Sequence, residues 1–400
     1  MKARMIAFAL VLFCAAQADS LNCREVGAYT LNQGLGVEVD PGRNLAYLGS
    51  QSEVSVLDIA NPAHPTKRSR VEASGMIDCV CPRSDRLYIP EMVYGLLEIW
   101  DVAVPDSPVR LNDYHTGGFP NGVGVEGSYA YVSDGVANLL VIDVSDPESL
   151  HEEGRCRLSD APGRVALAGS YAYVTLGVPG LSIIDVSDPD SSHEVGFCPT
   201  PGSARDVAVA GNYAYVADCD YGLRIIDVSD PQSPTEAGYY YTPGYALDVA
   251  VAGSYAYVAD NNAGLRVIDV SDPDSSHEVG FYDTPGWAEG VAVAGSYAYV
   301  AASTAGLRII EFYGGSGAVE EGPGADALVA NPGPTVVRGV LFLAEATSRK
   351  LQAASLLDAT GRCVAALHAG TNDLSGFAPG VYFVKVESGT TSLTRKLVID

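Results

Sequence analysis

The chain has 400 residues, of which 47% are hydrophobic and only 18% are charged. Acidic residues outnumber basic ones by 49 to 24, which gives a formal net charge of −25. Such a surface repels phosphate backbones and anionic lipid, and this argues against a nucleic-acid partner. The abundance of Gly (43) and Tyr (23) favours an all-β protein.

The start of the chain has the pattern of a secretory signal peptide. Two basic residues precede an apolar run from Ile6 to Ala16, and Ala16 and Ala18 offer small side chains for cleavage before Asp19. The run is too short to cross a bilayer as a permanent helix. We therefore expect an exported protein that loses residues 1–18 and has no transmembrane anchor.

The cysteines do not indicate a disulfide framework or a metal site. Seven of the eight would remain after cleavage, and an odd number argues against complete pairing. Cys79 and Cys81 fall on one predicted strand, where we expect their side chains to point to opposite faces. Their spacing is not that of a zinc knuckle, so no metal is expected.

A repeat of 42 residues runs through most of the chain. The acidic residue that closes the motif GLRVID and its variants recurs at Asp143, Asp185, Asp227, Asp269 and Glu311, and weaker copies end at Asp58 and Asp101. Each of these seven units has four short runs rich in Val, Tyr and Ile, separated by turn motifs such as AGS and DVSDP. Four strands in about 42 residues is the blade pattern of a β-propeller.

The two ends of the repeat region predict a closed ring. The segment CREVGAYTL (23–31) matches the outer strand SHEVGFYDT (276–284), whereas the last unit stops at GLRIIEFYGG and lacks that strand. The N-terminal strand is therefore expected to pair near Ile310 and to complete the seventh blade. Closure of this kind removes two exposed sheet edges.

The motifs GLRVIDVSDP and GSYAYVAD resemble the LVIVD repeat of bacterial and archaeal surface and secreted proteins. This resemblance covers roughly residues 23–313, and it implies a propeller but no defined reaction. We assign residues 19–313 to a seven-bladed all-β propeller. Residues 314–327 begin a stretch rich in Gly, Pro and Ala that is typical of a linker.

Residues 328–400 contain new apolar runs with no 42-residue relation to the blades, which predicts a small Ig-like β-sandwich. The motifs NPGP, LLDATGRCV, FAPGVYFVKVE and TRKLVID, in this order, resemble the type A C-terminal sorting domain of the type IX secretion system. The resemblance implies recognition by outer-membrane export machinery, often followed by removal of the domain. Carried over to this chain, the recognised fold would include Gly361, Arg362, Gly380, Tyr382, Arg395 and Lys396. A plain sandwich that acts as a spacer is the alternative.

The sequence shows no catalytic motif and no cofactor motif. It lacks a G-x-S-x-G elbow, an H-E-x-x-H helix and a phosphate-binding glycine loop. His151, His193 and His277 share one repeat position, which indicates a scaffold role. The repeated aspartates at the DVSDP turns are expected to stabilise those turns through Asx-type hydrogen bonds.

Candidate binding residues lie where the blades differ. The loops from an outer strand to the next inner strand, and from the second strand to the third, lie on the same face of a propeller. The candidates there are Asp134, Arg164, Arg205, Asp206, Asp218, Tyr245, Asp248, Asp260, Trp287 and Glu289. An acidic rim with exposed Tyr and Trp suits a sugar or a basic peptide. The alternative is a set of solvated loop residues around a water-filled channel.

The sequence thus predicts a secreted or cell-surface protein that presents a non-catalytic binding face to an extracellular protein or glycan. A hydrolase or lyase that acts on polysaccharide through carboxylates of this face remains an alternative. Such catalysis needs two acids at a defined separation, with pKa values pushed apart. A structural cell-envelope protein without a soluble ligand is the third hypothesis.

Overall fold

The computed structural model describes residues 20–31, 33–73, 75–136 and 138–314, together with the C-terminal stretches 335–337, 340–343, 353–357, 362–367, 370–373, 380–388 and 391–399. The chain divides into two compact units, residues 1–314 and 315–400. The predicted signal peptide lies outside the described residues, as does the predicted linker from residue 315 onward.

Seven antiparallel sheets make up the first unit, and each is one blade. The chain opens with β1 (Ser20–Leu21) and β2 (Cys23–Tyr29). Blade 1 consists of β3 (Val37–Asp40), β4 (Leu45–Gly49), β5 (Glu53–Asp58) and β6 (Thr66–Glu72). Blade 2 consists of β7 (Cys81–Arg83), β8 (Arg86–Glu91), β9 (Leu96–Asp101) and β10 (Val109–His115). Blade 3 consists of β11 (Pro120–Glu126), β12 (Tyr129–Asp134), β13 (Asn138–Asp143) and β14 (His151–Arg157). Within each blade the strands follow one another outward from the centre.

Blades 4 to 7 repeat this order. Blade 4 consists of β15 (Val165–Ala168), β16 (Tyr171–Thr175), β17 (Gly180–Asp185) and β18 (His193–Pro199), and blade 5 of β19 (Asp206–Ala210), β20 (Tyr213–Ala217), β21 (Leu223–Asp227) and β22 (Thr235–Tyr240). Blade 6 consists of β23 (Asp248–Ala252), β24 (Tyr255–Ala259), β25 (Leu265–Asp269) and β26 (His277–Tyr282). Blade 7 consists of β27 (Gly290–Ala294), β28 (Tyr297–Ala301) and β29 (Leu307–Phe312). Short 3₁₀ turns occur at Pro147–Ser149, Pro189–Ser191 and Pro273–Ser275. The seven-bladed propeller predicted from the repeat is confirmed.

The core lies between neighbouring blades. Successive side chains of a strand point to opposite faces of its sheet, so a blade presents apolar residues on both sides. In β20, Ala214 and Val216 pack towards blade 4, whereas Tyr215 packs towards blade 6. Seven such apolar clusters, one at each junction, hold the ring together.

The N-terminal strand closes the ring as the sequence predicts. Strand β2 pairs antiparallel with β29, and Glu25 lies opposite Ile310. The structure adds a second contact, because β1 pairs with β26 and extends blade 6 to five strands. The N-terminal segment therefore joins blades 6 and 7.

The repeated aspartates have the expected role in the turns. Asp143 Oδ1 accepts a hydrogen bond from the Ser145 N–H at 2.8 Å, and the same bond recurs in the next three blades. The Nδ1 atom of His151 contacts the Ser149 carbonyl oxygen at 3.0 Å, and His193 and His277 make the equivalent contact. The prediction of turn stabilisation by the aspartates is confirmed, and the scaffold role of the histidines stays a prediction.

The described part of the second unit is also all-β. A five-stranded sheet joins β30 (Thr335–Val337), β36 (Thr391–Ile399), β35 (Gly380–Ser388), β32 (Ala353–Leu357) and β33 (Cys363–Leu367), while β31 (Val340–Leu343) pairs with β34 (Gly370–Asp373). Arg362 is exposed and Tyr382 is half-buried, whereas Gly361 lies outside the described residues. Gly380 begins β35, and Arg395 and Lys396 lie in β36. The Ig-like arrangement of these sheets stays a prediction.

Within the described residues, no helix has the length and apolar character needed to cross a membrane.

Candidate functional site

Two cavities occupy the centre of the ring. The first, which we call the channel, has a volume of about 510 Å³ and is lined by the inner strands of the blades. The second, which we call the funnel, has a volume of about 540 Å³ and is lined mainly by loops that lead into the inner strands. Asp78 and Arg164 line both cavities, so they form the boundary between funnel and channel.

Arg164 closes the bottom of the funnel. Its Nη1 atom donates to the Asn121 carbonyl oxygen at 2.6 Å, and its Nη2 atom donates to the Asp78 carbonyl oxygen at 2.8 Å. The Asp78 carboxylate lies 3.4 Å from Nη1. Burial disfavours the charge of Arg164, but the surrounding acidic groups, Asp78 foremost among them, still raise its pKa. This side chain of blade 4 thus ties blades 2 and 3 together.

Asp206 and Asp248 form a carboxylate pair beneath Arg164. Asp206 Oδ2 and Asp248 Oδ1 accept hydrogen bonds from the same Val249 N–H, at 3.0 and 2.9 Å, and Asp248 Oδ2 also accepts from the Val291 N–H at 2.8 Å. Burial and the neighbouring Asp206 raise the pKa of Asp248 well above its usual range. Two carboxylates this close hold a proton between them more readily than either would alone.

The channel contains a third acid that sequence reasoning missed. Glu38 lines the channel and is exposed to the solvent space inside it; the surrounding protein and then the charge of Asp206 raise its pKa, to a smaller extent than for a side chain that is closed off from water. Cys79 and Cys81 also line the channel, and both pack against one apolar cluster. The prediction that they face opposite sides was wrong, because residues two positions apart on a strand share a face. Burial raises their thiol pKa values to about 11 and 12, so both are poor nucleophiles.

Three predicted rim carboxylates are buried instead. Asp134, Asp218 and Asp260 are at most 1% exposed, and each accepts hydrogen bonds from the loop that precedes its own blade. Burial raises the pKa of all three, to about 6 for Asp260. They hold loops in place and do not form an acidic rim open to a ligand.

The remaining candidates do lie on the accessible face. Arg205 and Glu289 line the funnel, and burial raises the pKa of Glu289 while Arg205 opposes that rise. Tyr245 and Trp287 are 48% and 59% exposed in the loops before blades 6 and 7. The structure therefore brings Arg164, Arg205 and Glu289 together in the funnel and places the two aromatic side chains in the loops of the same face.

The same face carries an unexpected concentration of apolar side chains. Among the residues that the structure describes, 17 large hydrophobic side chains are exposed; ten of them lie in the loops of this face, whereas the loops of the opposite face carry Val104 and Tyr313. We call the ten the apolar crown: Met76, Val93, Tyr94, Phe119, Val136, Val178, Tyr221, Tyr241, Tyr245 and Trp287. Sequence reasoning found only the last two of these near the site.

The missed residues that line the funnel come mostly from blade 2 and its flanking loops. Met76, Asp78 and Met92 line the funnel from this blade, and Phe119 follows it. The second repeat is weak, and its loops do not align with the regular 42-residue spacing. The signal that would have found them is the divergence itself, together with the large apolar and aromatic residues Met76, Met92, Val93, Tyr94 and Phe119 in these loops.

A separate group of side chains has the composition of a metal site. One ligand atom each from Asp143, His151 and Glu153 lies within 4.8 Å of the others, at the outer strand of blade 3. The Nε2 atom of His151 is 3.2 Å from Glu153. This group is at the outer edge of the ring and does not contribute to the funnel.

Comparison with known protein families identifies both units. LVIVD repeats match residues 43–73, 117–157, 162–200, 201–242, 243–284 and 285–311, which is more than half of the chain. The secretion system C-terminal sorting domain matches residues 337–400. Residues 74–116, which contain most of the divergent blade 2, fall between two of the repeat matches.

Comparison with other proteins adds evidence for the fold. The crystal structure of the computationally designed Ika8 protein superposes with a TM-score of 0.52 and 6% identity, and the match covers 72% of this chain and 99% of that one. At this identity the likeness concerns the fold alone. No curated protein matches the chain. The sorting domain implies export by the type IX secretion system, to the medium or the cell surface, and contact with its machinery. The chain therefore belongs to the LVIVD-repeat proteins and carries a secretion system C-terminal sorting domain.

Proposed function

We propose that this protein acts outside the cell as a non-catalytic binding module, and that its ligand is a segment of another protein held by the funnel and the apolar crown. The sorting domain delivers the propeller to the outside, and the propeller presents one face to its partner. The observation that carries the proposal is the position of ten exposed large apolar side chains around a cavity of about 540 Å³.

The chemistry of this face favours a protein ligand. Clustered exposed apolar side chains mark interaction sites, and Tyr, Trp and Met are enriched where proteins meet. Flexible Met side chains such as Met76 and Met92 adapt to differently shaped apolar partners. The funnel also has the size and the few convergent polar groups of a ligand site. A face this apolar therefore suits a peptide segment better than a uniformly polar sugar chain.

The carboxylates give less support to a polysaccharide hydrolase or lyase. Asp206 and Asp248 accept from one N–H, so they lie too close together to flank a glycosidic bond. Asp218 and Asp260 are buried and occupied by loop hydrogen bonds. Asp218 and Asp260 are therefore out of reach of a sugar, and Asp206 and Asp248 share a donor instead of facing each other across a substrate.

Peptide and glycan arrays probed with the propeller (residues 19–313) test the proposal. We expect peptide hits whose binding weakens at least about tenfold in Phe119→Ser and Trp287→Ala, since truncation of central aromatic contacts often costs more than 1 kcal/mol. The matched control is Phe197→Ala, because Phe197 is 39% exposed on the outer strand β18, away from this face. Binding to glycans alone would favour the carbohydrate alternative, and no binding at all would favour a structural cell-envelope role.

A further inference from the structure

The funnel is divided into an apolar side and a charged side. Leu35, Met76, Met92 and Phe119 contribute apolar groups from blades 1 and 2 and from the loop before blade 3. Arg205 and Glu289 stand across the opening, in the loops before blades 5 and 7. A ligand that fills the funnel must therefore present an apolar group to one side and a polar or charged group to the other.

Most charges near the funnel are already compensated. Asp78 pairs with Arg164, and the carboxylate pair Asp206–Asp248 lies on the channel side of that arginine. Asp218 and Asp260 are buried under loops and are not available to a ligand. These contacts take the aspartates that the sequence assigned to this face out of reach of a ligand in the funnel.

Arg205 is the exception among the cations. In the described residues of the propeller, only the guanidinium groups of Arg83, Arg157 and Arg205 have neither an ion pair nor a side-chain hydrogen bond, and Arg205 is the one that lines the funnel. Its side chain is exposed, and Glu289 is not within ion-pair distance of it. A guanidinium with five free N–H donors recognises a carboxylate in a bidentate manner.

We propose that the funnel selects partner segments in which an apolar side chain and an acidic one lie close together in the sequence, with the apolar group between Met76, Met92 and Phe119 and the carboxylate on Arg205. This rests on the proposed function and specifies the chemistry of its ligand. The net charge of −25 makes most of the molecule unfavourable for an acidic segment, so a cation in a cavity stands out as a binding point. Arg205 therefore fixes where the acidic group of such a segment binds.

The test uses the full chain and three synthetic ten-residue peptides. Each has a central Phe, followed by two Asp, two Asn or two Lys residues, in an otherwise Gly/Ser sequence. Fluorescence anisotropy at low salt should show the Asp peptide binding about tenfold more tightly than the Asn peptide, as expected for a charge-assisted hydrogen bond. The Lys peptide should bind most weakly, and higher salt should reduce the differences.

Three variants separate this inference from the proposed function. Arg205→Glu should reverse the order of the Asp and Lys peptides, whereas the control Arg157→Glu, at the exposed end of β14, should leave it unchanged. Met92→Ser should weaken all three peptides. Equal binding of the peptides, or an unchanged order in Arg205→Glu, overturns the role of Arg205 but leaves binding at the funnel standing. No binding of any peptide, on the array or in solution, overturns both.

Discussion

At the scale of single residues, buried carboxylates hold the loops that lead from one blade to the next. Asp260 Oδ1 accepts from Thr242 Oγ1 at 2.5 Å, and Oδ2 accepts from the Gly244 N–H at 2.8 Å. Asp218 makes the same two contacts with Thr200 and Gly202. Because two donors satisfy each carboxylate, these loops are fixed without a strand or a disulfide.

This arrangement predicts that the propeller becomes more stable as the pH falls from 7 towards 4. Burial raises the pKa of folded Asp260 to about 6, above its unfolded value, so the folded state binds the proton more tightly. The contribution is fully present below the unfolded pKa and is lost as the pH rises through about 6. For a shift of two units it is at most about 3 kcal/mol.

Urea unfolding at several pH values measures this effect. Asp260→Asn should flatten the profile between pH 4 and 7, since an amide keeps much of the hydrogen bonding but does not titrate there. Asp227→Asn is the control, because hydrogen bonds from Ser229 lower the pKa of Asp227 and its effect lies at lower pH. A profile that Asp260→Asn leaves unchanged would show that other groups cause the pH dependence.

The aspartates also show which roles can be predicted from the repeat and which cannot. The turn aspartates such as Asp143 were assigned correctly because they recur in every regular blade. Asp218 and Asp260 were placed on the rim because Leu176 and Ala302 interrupt their series. The structure shows that the function of the residue depends on its partner, a Thr-Pro-Gly segment earlier in the chain. Where Ala302 replaces the acid, Thr284 donates to the Gly286 carbonyl oxygen instead.

At the scale of elements, glycines in the outer strands determine how closely neighbouring blades approach. A Cβ atom added to Gly154, Gly196 or Gly238 would lie well inside van der Waals contact of a proline carbonyl in the turn of the next blade. Gly27 meets Pro62 in the same way, although Gly27 belongs to the N-terminal strand. The sequence shows these glycines in register, but only the structure shows that the contact is between blades.

Gly238→Ala should therefore destabilise the propeller by about 1–3 kcal/mol, the usual range for overpacking a tight contact. The added methyl group would meet the Pro273 carbonyl, which belongs to a backbone turn and has little freedom to move. Gly42→Ala is the matched control, because its nearest atom is Asp40 Oδ1 at 3.4 Å, an ordinary contact. Thermal unfolding compares the two variants, and equal melting temperatures would contradict the proposed role of the glycine.

At the scale of the whole molecule, the sequence predicts the ring of blades and its closure, but it does not predict the side-chain contacts that form the central funnel. The closure is predictable because the last unit of the repeat lacks its outer strand while an extra outer strand precedes the first unit. The pairing of Glu25 with Ile310 confirms it. The bridge of Arg164 to Asp78 was not predictable, because it joins residues 86 positions apart through a loop of the least regular blade. Repetition specifies the strands, while the funnel depends on the residues that break the repetition.

The closure makes the stability of the entire propeller depend on the two N-terminal strands β1 and β2, residues 20–29. Cys23 and Glu25 contribute to the last junction, Cys23 in the apolar cluster between blades 6 and 7 and Glu25 in an ion pair with Arg308 at 3.2 Å. Removal of β1 and β2 would expose the edge of β29 and leave Phe312 without its buried neighbour. Since a domain has a net stability of about 5–15 kcal/mol, loss of one closing strand should remove most of it.

A chain that lacks residues 1–29 should therefore unfold at much lower urea concentration than a chain that lacks only residues 1–18, and with reduced cooperativity. A synthetic peptide of residues 20–31 added in trans should restore the midpoint in a concentration-dependent manner, because binding to the folded state adds stability by mass action. A scrambled peptide of the same composition serves as the control. If the truncated chain unfolds like the full one, the ring does not depend on this strand, and the blade junctions alone must hold it closed.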